Sequence, residues 1–467
     1  MRSRKIMLLL CSFILVFVAA CSSGSGGGSA GNPSGDANSG NDAANASAGS
    51  NSNSGADVST GEEEATGTPE MDFDMGGRTI KWVSWYSEEI PEDNPDNIKR
   101  KENLQALMEK HNFKIEYVVL DYGEYQNKIT TSLIAGEPLG DIIRVARPWM
   151  IPTLIKQGLF HPVDEYTKNE KVFIPQYTNE YSNFEGRGYG FRTGILGASG
   201  GVFYNRTLMN QLGLKPLQEY VNEDNWNWET FIQVAKEANR DTNNDGTLDT
   251  WGLATASILV PAMASNEATL VKDGKQTLDD PKTLEVLNFL SRLVTEGVAR
   301  PTEGGDWTEP GQFFRQGNTL MYAGQDYEMD GFKTDMPDTD IGFLPFPKGP
   351  SGNRYQSFNT IPNYLTIPSA VENPEQLVYI YEKINDIDSE YDYPQQANFE
   401  RLFSTEEDIE NAKLAGQSMK IIENNGAYPS MPFYEFQGEI LEGTSVSTVV
   451  EKYKGPFQAA MDEVWNK

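Results

Sequence analysis

Hydrophobic and polar residues alternate from Arg78 to Trp85 in RTIKWVSW, which predicts a strand with Ile80, Trp82 and Ser84 on one face. A polar, proline-broken loop, YSEEIPEDNPDN, follows. Leu104, Leu107, Met108 and His111 then recur at i, i+3, i+4 and i+7, the spacing of one helix face. A second strand is predicted over Phe113 to Leu120, and a second helix over Tyr125 to Ala135, stopped by Gly136. Asp141 to Val145 reads as a third strand, and Met150 to Gln157 as a third helix ending at Gly158. Strand and helix alternate, so this half is predicted to be α/β around a largely parallel sheet.

Later segments carry end signals of the same kind. In NWNWETFIQVAKEA, Asn227 caps a predicted helix with Glu229 in its first turn, and Trp228, Phe231 and Ala235 lie on the buried side. Gly317 ends a helix before a strand at Thr319 to Ala323. Asn373-Pro374-Glu375 opens another helix, with proline in the first helical position.

The N-terminal end follows a different pattern. Arg2, Arg4 and Lys5 precede an apolar run, Ile6 to Val18, that is too short for a stable membrane span, which is the layout of a secretory leader over residues 1–20. Val18-Ala19-Ala20-Cys21 resembles a bacterial lipobox, which implies acylation at Cys21 and a membrane anchor. The alternative is an ordinary leader with a chance cysteine. From there to about residue 70 the chain is Gly, Ser, Asn and Ala with few apolar residues, and it reads as a flexible tether reaching about 35–40 Å. Only Cys11 and Cys21 are present, so the mature chain is expected to carry no disulfide and to be stabilised by burial.

Composition narrows the chemistry. A formal net charge of -30 argues against nucleic acid as a partner. The two histidines, His111 and His161, leave little for a Ser-His-Asp or His-metal site, and HExxH, nucleophile-elbow and phosphate-loop motifs are absent. The chain is therefore expected not to be an enzyme. A carboxylate-pair polysaccharide hydrolase or lyase stays open as the alternative, because 68 acidic residues always supply candidate pairs.

One loop points to a metal. In DTNNDGTLDTW, Asp241, Asn243 and Asp245 occupy calcium-loop positions one, three and five, and Gly246 supplies the turn. The Thr247 carbonyl and Asp249 take positions seven and nine, but position twelve is Gly252 where an EF-hand has glutamate. Calcium is expected as a structural cofactor, against the alternative of a metal-free turn rich in Asp and Asn.

Seven segments in order (IAGEPLGDIIRV, QGLFHPVDEY, GGVFYNRTLMNQLGLKP, NWNWETFIQVAKEA, FFRQGNTLMYAGQ, IGFLPFPKGPSG and YLTIPSAVENPEQLVYIYEKI) resemble the family 1 extracellular solute-binding proteins, the receptors of sugar ABC importers. The resemblance implies a two-lobed, type II periplasmic-binding-protein-like α/β fold with discontinuous lobes joined by hinge crossings. On that basis lobe I is assigned residues 71–191 and 337–386, and lobe II residues 192–336 and 387–467. The crossings fall near Tyr189–Gly194, Asp335–Asp340 and Asp386–Tyr391. It further implies a carbohydrate ligand, expected to be an oligosaccharide, delivery to ABC permease subunits, and a monomer at the outer face of the bacterial membrane. A peptide or other non-sugar solute is the alternative ligand. In such proteins a loop like 241–249 holds a structural ion away from the cleft.

Sugars offer apolar ring faces and a rim of hydroxyls, so their sites want flat aromatics with amides, carboxylates or guanidinium groups beside them. Trp85 and Tyr86 follow the first strand, and Arg147 and Trp149 follow the third at a loop where family members contact ligand. Asp326 and Tyr327 follow the strand TLMYAG, and Asn359 and Tyr364 lie near a crossing. These eight are the expected ligand contacts, with Trp149 foremost. Arg147 pairing with a structural acid is its alternative role.

Overall fold

The run that alternates in sequence becomes β1 (Arg78–Ser84), followed by α1 (Pro95–His111), β2 (Phe113–Val119), α2 (Tyr122–Ile134) and β3 (Ile142–Ala146). Helical turns over Arg147–Trp149 and Met150–Leu154 come next. Then come β4 (Gly200–Asn205), α3 (Trp228–Ala238), β5 (Trp251–Ala254), α4 (Pro281–Thr295), β6 (Ala299–Arg300), β7 (Thr319–Gln325) and β8 (Ile341–Pro345). The chain ends with β9 (Asn363–Thr366), α5 (Pro374–Asn385), α6 (Glu406–Gly416), α7 (Phe433–Leu441) and α8 (Val446–Trp465). The computed structural model describes residues 68–175, 181–193, 200–254, 258–302, 308–358 and 362–466. The expected leader, Cys21, nearly all of the tether and Asn359 lie outside the described residues.

Two sheets make two lobes. Lobe I has the order β9-β3-β1-β2, with β1 parallel to β2 and β3, and β9 antiparallel to β3. Lobe II has the order β6-β5-β7-β4-β8, with β5, β6 and β7 parallel and β4 antiparallel to both β7 and β8. Because β1 is an inner strand, both of its faces are buried. Ile80 and Trp82 pack with Leu104 and Leu107 of α1 and Leu377 and Ile380 of α5, while Val83 packs with Tyr125, Ile129 and Leu133 of α2 on the other side. In lobe II, Phe231 and Ala235 of α3 and Leu290 of α4 cover one sheet face beside Leu253. Phe203 and Phe343 meet Ala412 and Ala415 of α6 on the opposite face.

Local sequence explains several element ends. The Asn227 carboxamide accepts from the backbone N–H groups of Glu229 (3.0 Å) and Thr230 (3.2 Å), as the cap signal predicts. The Asp121 carboxylate accepts from the Gly123 N–H at 2.9 Å, so α2 starts at Tyr122, three residues before the expected Tyr125. Where α3 crosses β5, a Cβ at Gly252 would lie 2.0 Å from the Ala235 carbonyl oxygen, so no larger residue fits there.

The expected lobe boundaries need one correction. Residues 337–358 belong to lobe II, because β8 pairs with β4 through Ile341↔Asn205 to Pro345↔Gly201. The second crossing therefore lies between Phe358 and Asn363 and not at Asp335–Asp340. The first crossing lies between Phe191, which bridges to Leu365 in lobe I, and β4 in lobe II. After α5 the chain is still held to lobe I at Glu390, whose N–H donates to Asp96 of α1, and Phe399 and Leu402 then pack in the lobe II core.

The start of the described chain is fastened to lobe I. The Thr68 N–H and hydroxyl donate to the buried Glu382 carboxylate at 3.2 and 2.5 Å, and Lys383 donates to the Thr68 carbonyl at 3.0 Å. Glu70 accepts from Lys110 (2.5 Å) and from the Tyr379 hydroxyl (3.0 Å), and Phe73 stacks on the His111 ring at 4.0 Å. The His111 Nδ1 lies 3.0 Å from the Phe73 carbonyl oxygen, and the His161 Nε2 lies 2.9 Å from that of Val371.

Candidate functional site

In open α/β sheets ligands gather beyond the carboxyl ends of the strands. Residues leaving three strand ends of lobe I meet in one aromatic group. Trp85 after β1 lies edge-on to Trp149 after β3, with ring centroids 5.8 Å apart. It also lies edge-on to Tyr122 (5.9 Å), which opens α2 after β2, and to Tyr86 (5.7 Å). Tyr125 forms the floor, 5.2 Å from Trp85, and its hydroxyl donates to the carbonyls of Arg144 (2.8 Å) and Val83 (3.1 Å), which ties β3 to β1. Edge-to-face contacts of this kind fix ring orientation. Trp85 and Trp149 are half-buried, whereas Tyr86 and Tyr122 are 44% and 48% exposed.

Lobe II contributes two tyrosines. Tyr327, in the turn after β7, is 64% exposed, and Tyr434, in the first turn of α7, is 70% exposed. Both stand near Tyr122 of lobe I. Burial raises the Tyr122 phenol and Tyr434 adds to the shift. Desolvation by the surrounding protein raises Tyr327 to about 12, with Glu328, Tyr122 and Asp326 adding to it. Phenols of both lobes are thus in electrostatic reach of one another at the lobe boundary.

Beneath Tyr86 lies a buried ion pair. The Arg144 Nε and Nη2 grip the Glu88 carboxylate (Nη2 to Oε2, 2.9 Å), and Nη1 donates to the Asn363 side-chain oxygen at 2.6 Å. The guanidinium carbon lies 5.1 Å from the Tyr86 ring centroid. Burial opposes the charge on Arg144, but Glu88 outweighs it, so the guanidinium stays above its ordinary pKa.

Trp85, Tyr86 and Trp149 thus stand together at the strand ends of lobe I, Tyr327 lies in the turn after β7 in lobe II, and three other expected contacts need correction. Arg147 turns away: its Nε donates to the Tyr181 carbonyl at 2.8 Å and its Nη1 pairs with Glu423 at 3.3 Å. It lines a separate crevice of about 770 Å³ with Phe184, Tyr428 and Trp465. Pro148 separates the two residues, held against Gly426 so closely that a Cβ there would meet it at 2.8 Å. Tyr364 is fully buried, its ring against Gly190, because β9 inserts beside β3 and turns it into the lobe I core. Burial pushes its phenol up, and its hydroxyl bonds to no described residue. Asp326 is 2% exposed and leaves the contact surface to Tyr327. Sequence reasoning missed Tyr122 and Tyr434. Tyr122 follows a strand end just as Trp85 does and was findable by that rule, whereas nothing local marks Tyr434.

The loop 241–249 is held by its own polar groups. Asp241 accepts from the backbone N–H groups of Asp245 (3.2 Å) and Gly246 (2.8 Å), and Asn243 accepts from that of Asp245 at 2.8 Å. Gly246 takes the left-handed turn with φ of +89°. The Asp249 carboxylate is turned to the Thr242 hydroxyl and amide, bonds that lower its pKa. Asp241, Asn243, Asp245 and Thr247 share one turn, but among the described residues no three His, Cys, Asp or Glu side chains surround a common metal position.

Comparison with known proteins decides the family. Residues 94–380, well over half of the chain, match the model described as bacterial extracellular solute-binding protein. The chain belongs to that family. A solute-binding protein named arabinooligosaccharide-binding protein, from Bacillus subtilis (strain 168), is 26% identical over 250 residues, 51% of this chain and 54% of that relative. The match thus spans about half the length of the curated relative. UspC of M. tuberculosis superposes with a TM-score of 0.61 at 16% identity over 82% of this chain and 100% of its own. An ABC substrate-binding protein from Listeria monocytogenes, solved with cycloalternan, superposes with a TM-score of 0.59 at 14% identity over 84% and 99%. The GacH receptor of Streptomyces glaucescens, solved unliganded and with acarbose, gives 0.57 at 16% identity over 82% and 100%. The solute-binding fold is therefore the two-lobed type II arrangement described above.

Proposed function

We propose that this solute-binding protein captures a carbohydrate, an oligosaccharide, between its lobes and delivers it to the permease of an ABC importer. The observation that carries the reading is the edge-to-face group of Trp85, Tyr122 and Trp149 at the strand ends of lobe I, with Tyr327 and Tyr434 of lobe II in electrostatic reach of Tyr122. Ligand contacts made with both walls favour the closed arrangement by their differential affinity. The relative named for arabinooligosaccharide binding and the structures solved with cycloalternan and acarbose support the same ligand class. The test is a thermal-shift and calorimetric screen over arabino-, malto- and manno-oligosaccharides with product analysis. At least one glycan should raise Tm and be recovered intact. Hydrolysis of the glycan, or a response to peptides alone, would replace this reading.

Two accessory proposals complete it. Acylation at Cys21 anchors the protein at the outer face of the membrane, and Cys21→Ala should release it or stall its processing. Calcium clips the loop 241–249, with Asp249 leaving Thr242 to join Asp241, Asn243, Asp245 and the Thr247 carbonyl. An ion bound only by the folded chain raises Tm with its occupancy. Chelation should therefore lower Tm, Asp245→Ala should abolish the difference, and glycan affinity should stay the same.

A further inference from the structure

We propose that the cleft selects uncharged glycans and rejects acidic ones, such as uronic-acid oligomers and sugar phosphates, because the guanidinium groups around it are already committed. The inference rests on the carbohydrate reading above.

Recognition of a ligand carboxylate or phosphate calls for a free guanidinium edge or ammonium. Arg144 has neither edge to offer. Its Nε and Nη2 hold Glu88, its Nη1 holds Asn363, and Tyr86 covers its face. The two side chains of that pair are only 8% and 11% exposed. Arg147 is spent on the Tyr181 carbonyl and Glu423, on the crevice side of Pro148. Arg192 is half-buried and donates to the carbonyls of Thr193 (3.5 Å) and Asn363 (3.4 Å). Burial, and then the repulsion of Arg144, pull its pKa below the ordinary value. The segments 176–180, 194–199, 255–257, 303–307 and 359–361 contain no lysine or arginine in sequence.

Acids, by contrast, stand close to the aromatic walls. Glu88 lies under Tyr86 with Arg144, and Asp326 and Glu328 flank Tyr327 in sequence. Glu328 keeps its carboxylate on the Gln325 N–H (2.7 Å) and the Tyr322 hydroxyl (2.9 Å). A ligand carboxylate would meet these charges in a chain of net charge -30, or would have to displace Glu88 from a buried pair. A neutral glycan meets neither obstacle. Its ring faces stack on Trp85, Trp149 and Tyr327, and its hydroxyls bond to acids as readily as to amides.

The experiment uses the unaltered mature chain and matched trisaccharides measured by calorimetry: arabinotriose, xylotriose, maltotriose and galactotriose against trigalacturonate, a glucuronic-acid-substituted xylotriose and maltotriose phosphate. The strongest neutral probe should bind at least 100-fold more tightly than any acidic one. An acidic probe binding within tenfold of the best neutral one, or acidic probes binding alone, overturns the inference and leaves the carbohydrate reading standing. Silence from both sets overturns the carbohydrate reading and this inference with it. Glu88→Gln, which leaves Arg144 facing a neutral amide, should narrow the ratio at least tenfold, and a folded variant with an unchanged ratio would remove Arg144 from the account. The comparison on the unaltered chain decides the case whether or not that variant folds.

Discussion

On the lobe I side of the cleft, Trp85, Tyr86, Tyr122 and Trp149 brace one another edge to face above Tyr125, whose hydroxyl is pinned to two strands. On the lobe II side, Tyr327 and Tyr434 project largely into solvent, and Tyr434 stands edge-on to its neighbour Phe433 at 5.5 Å. The first wall is ordered before a ligand arrives. The second must lose side-chain freedom when the ligand comes, a cost of about 0.5–1.5 kcal/mol for each ring immobilised. Rings of similar chemistry should therefore give unequal returns in affinity, with the larger share on lobe I.

The largest expected effect is at Trp149. Trp149→Ala should weaken glycan binding by about 1–3 kcal/mol, roughly five- to hundredfold in Kd by calorimetry. Trp149→Phe should keep most of the binding while reducing the change in tryptophan emission. Normal affinity with a much lower Tm would instead make Trp149 a packing residue and collapse the distinction between the walls.

Next come Tyr327→Ala and Tyr434→Ala, each expected to cost about three- to tenfold in Kd, near 1 kcal/mol. Losses there equal to or larger than at Trp149 would reverse the comparison. Smaller again is Tyr364→Phe, which removes a buried hydroxyl without a hydrogen bond among the described residues. Tm should rise or hold, by no more than about 1–2 kcal/mol of stability, with Kd unchanged. A fall in affinity would return Tyr364 to the cleft.

The smallest effect tests the fastening of lobe I. Hydrogen bonds from Lys110 and Tyr379 hold the Glu70 carboxyl down at about 2. A depressed folded pKa stabilises above the unfolded value of 4.5, and that contribution is lost as pH falls from there towards 2. The Tm difference between the unaltered chain and Glu70→Gln should be constant above pH 5.5 or so and shrink on acidification. Because Glu70 is exposed, a small difference is expected throughout. A difference that grows in acid would refute the assignment.

What could be read from the sequence was local. The alternation at Ile80–Ser84, the helix face through Leu104 and Leu107, and the Asn227 cap each depend on neighbours within a few residues, and each stands as expected. The lobe membership of Ile341–Pro345 depends on a partner more than a hundred residues away in β4, which no local pattern encodes. The same holds for Tyr364, whose burial follows from pairing with Val145. Arg147 and Trp149 are two residues apart and have opposite fates, because the chain turns from strand to helix at Pro148. Strand-end position found Trp85, Trp149 and Tyr327, whereas Tyr434 reaches the cleft only through the packing of α7 in lobe II.

The attachment of Thr68 to Glu382 and Lys383 has a mechanical consequence. Tension applied through the residues before Thr68 enters the folded body at the C-terminal end of α5, through three hydrogen bonds, and is borne by lobe I. Lobe II receives that tension only through the three crossings and the contacts across the lobe boundary, among them the stack of Phe184 on Trp465. The protein is therefore loaded asymmetrically. A steady pull on its N-terminal segment strains the lobe that carries the braced aromatic wall and leaves the opposite wall to follow.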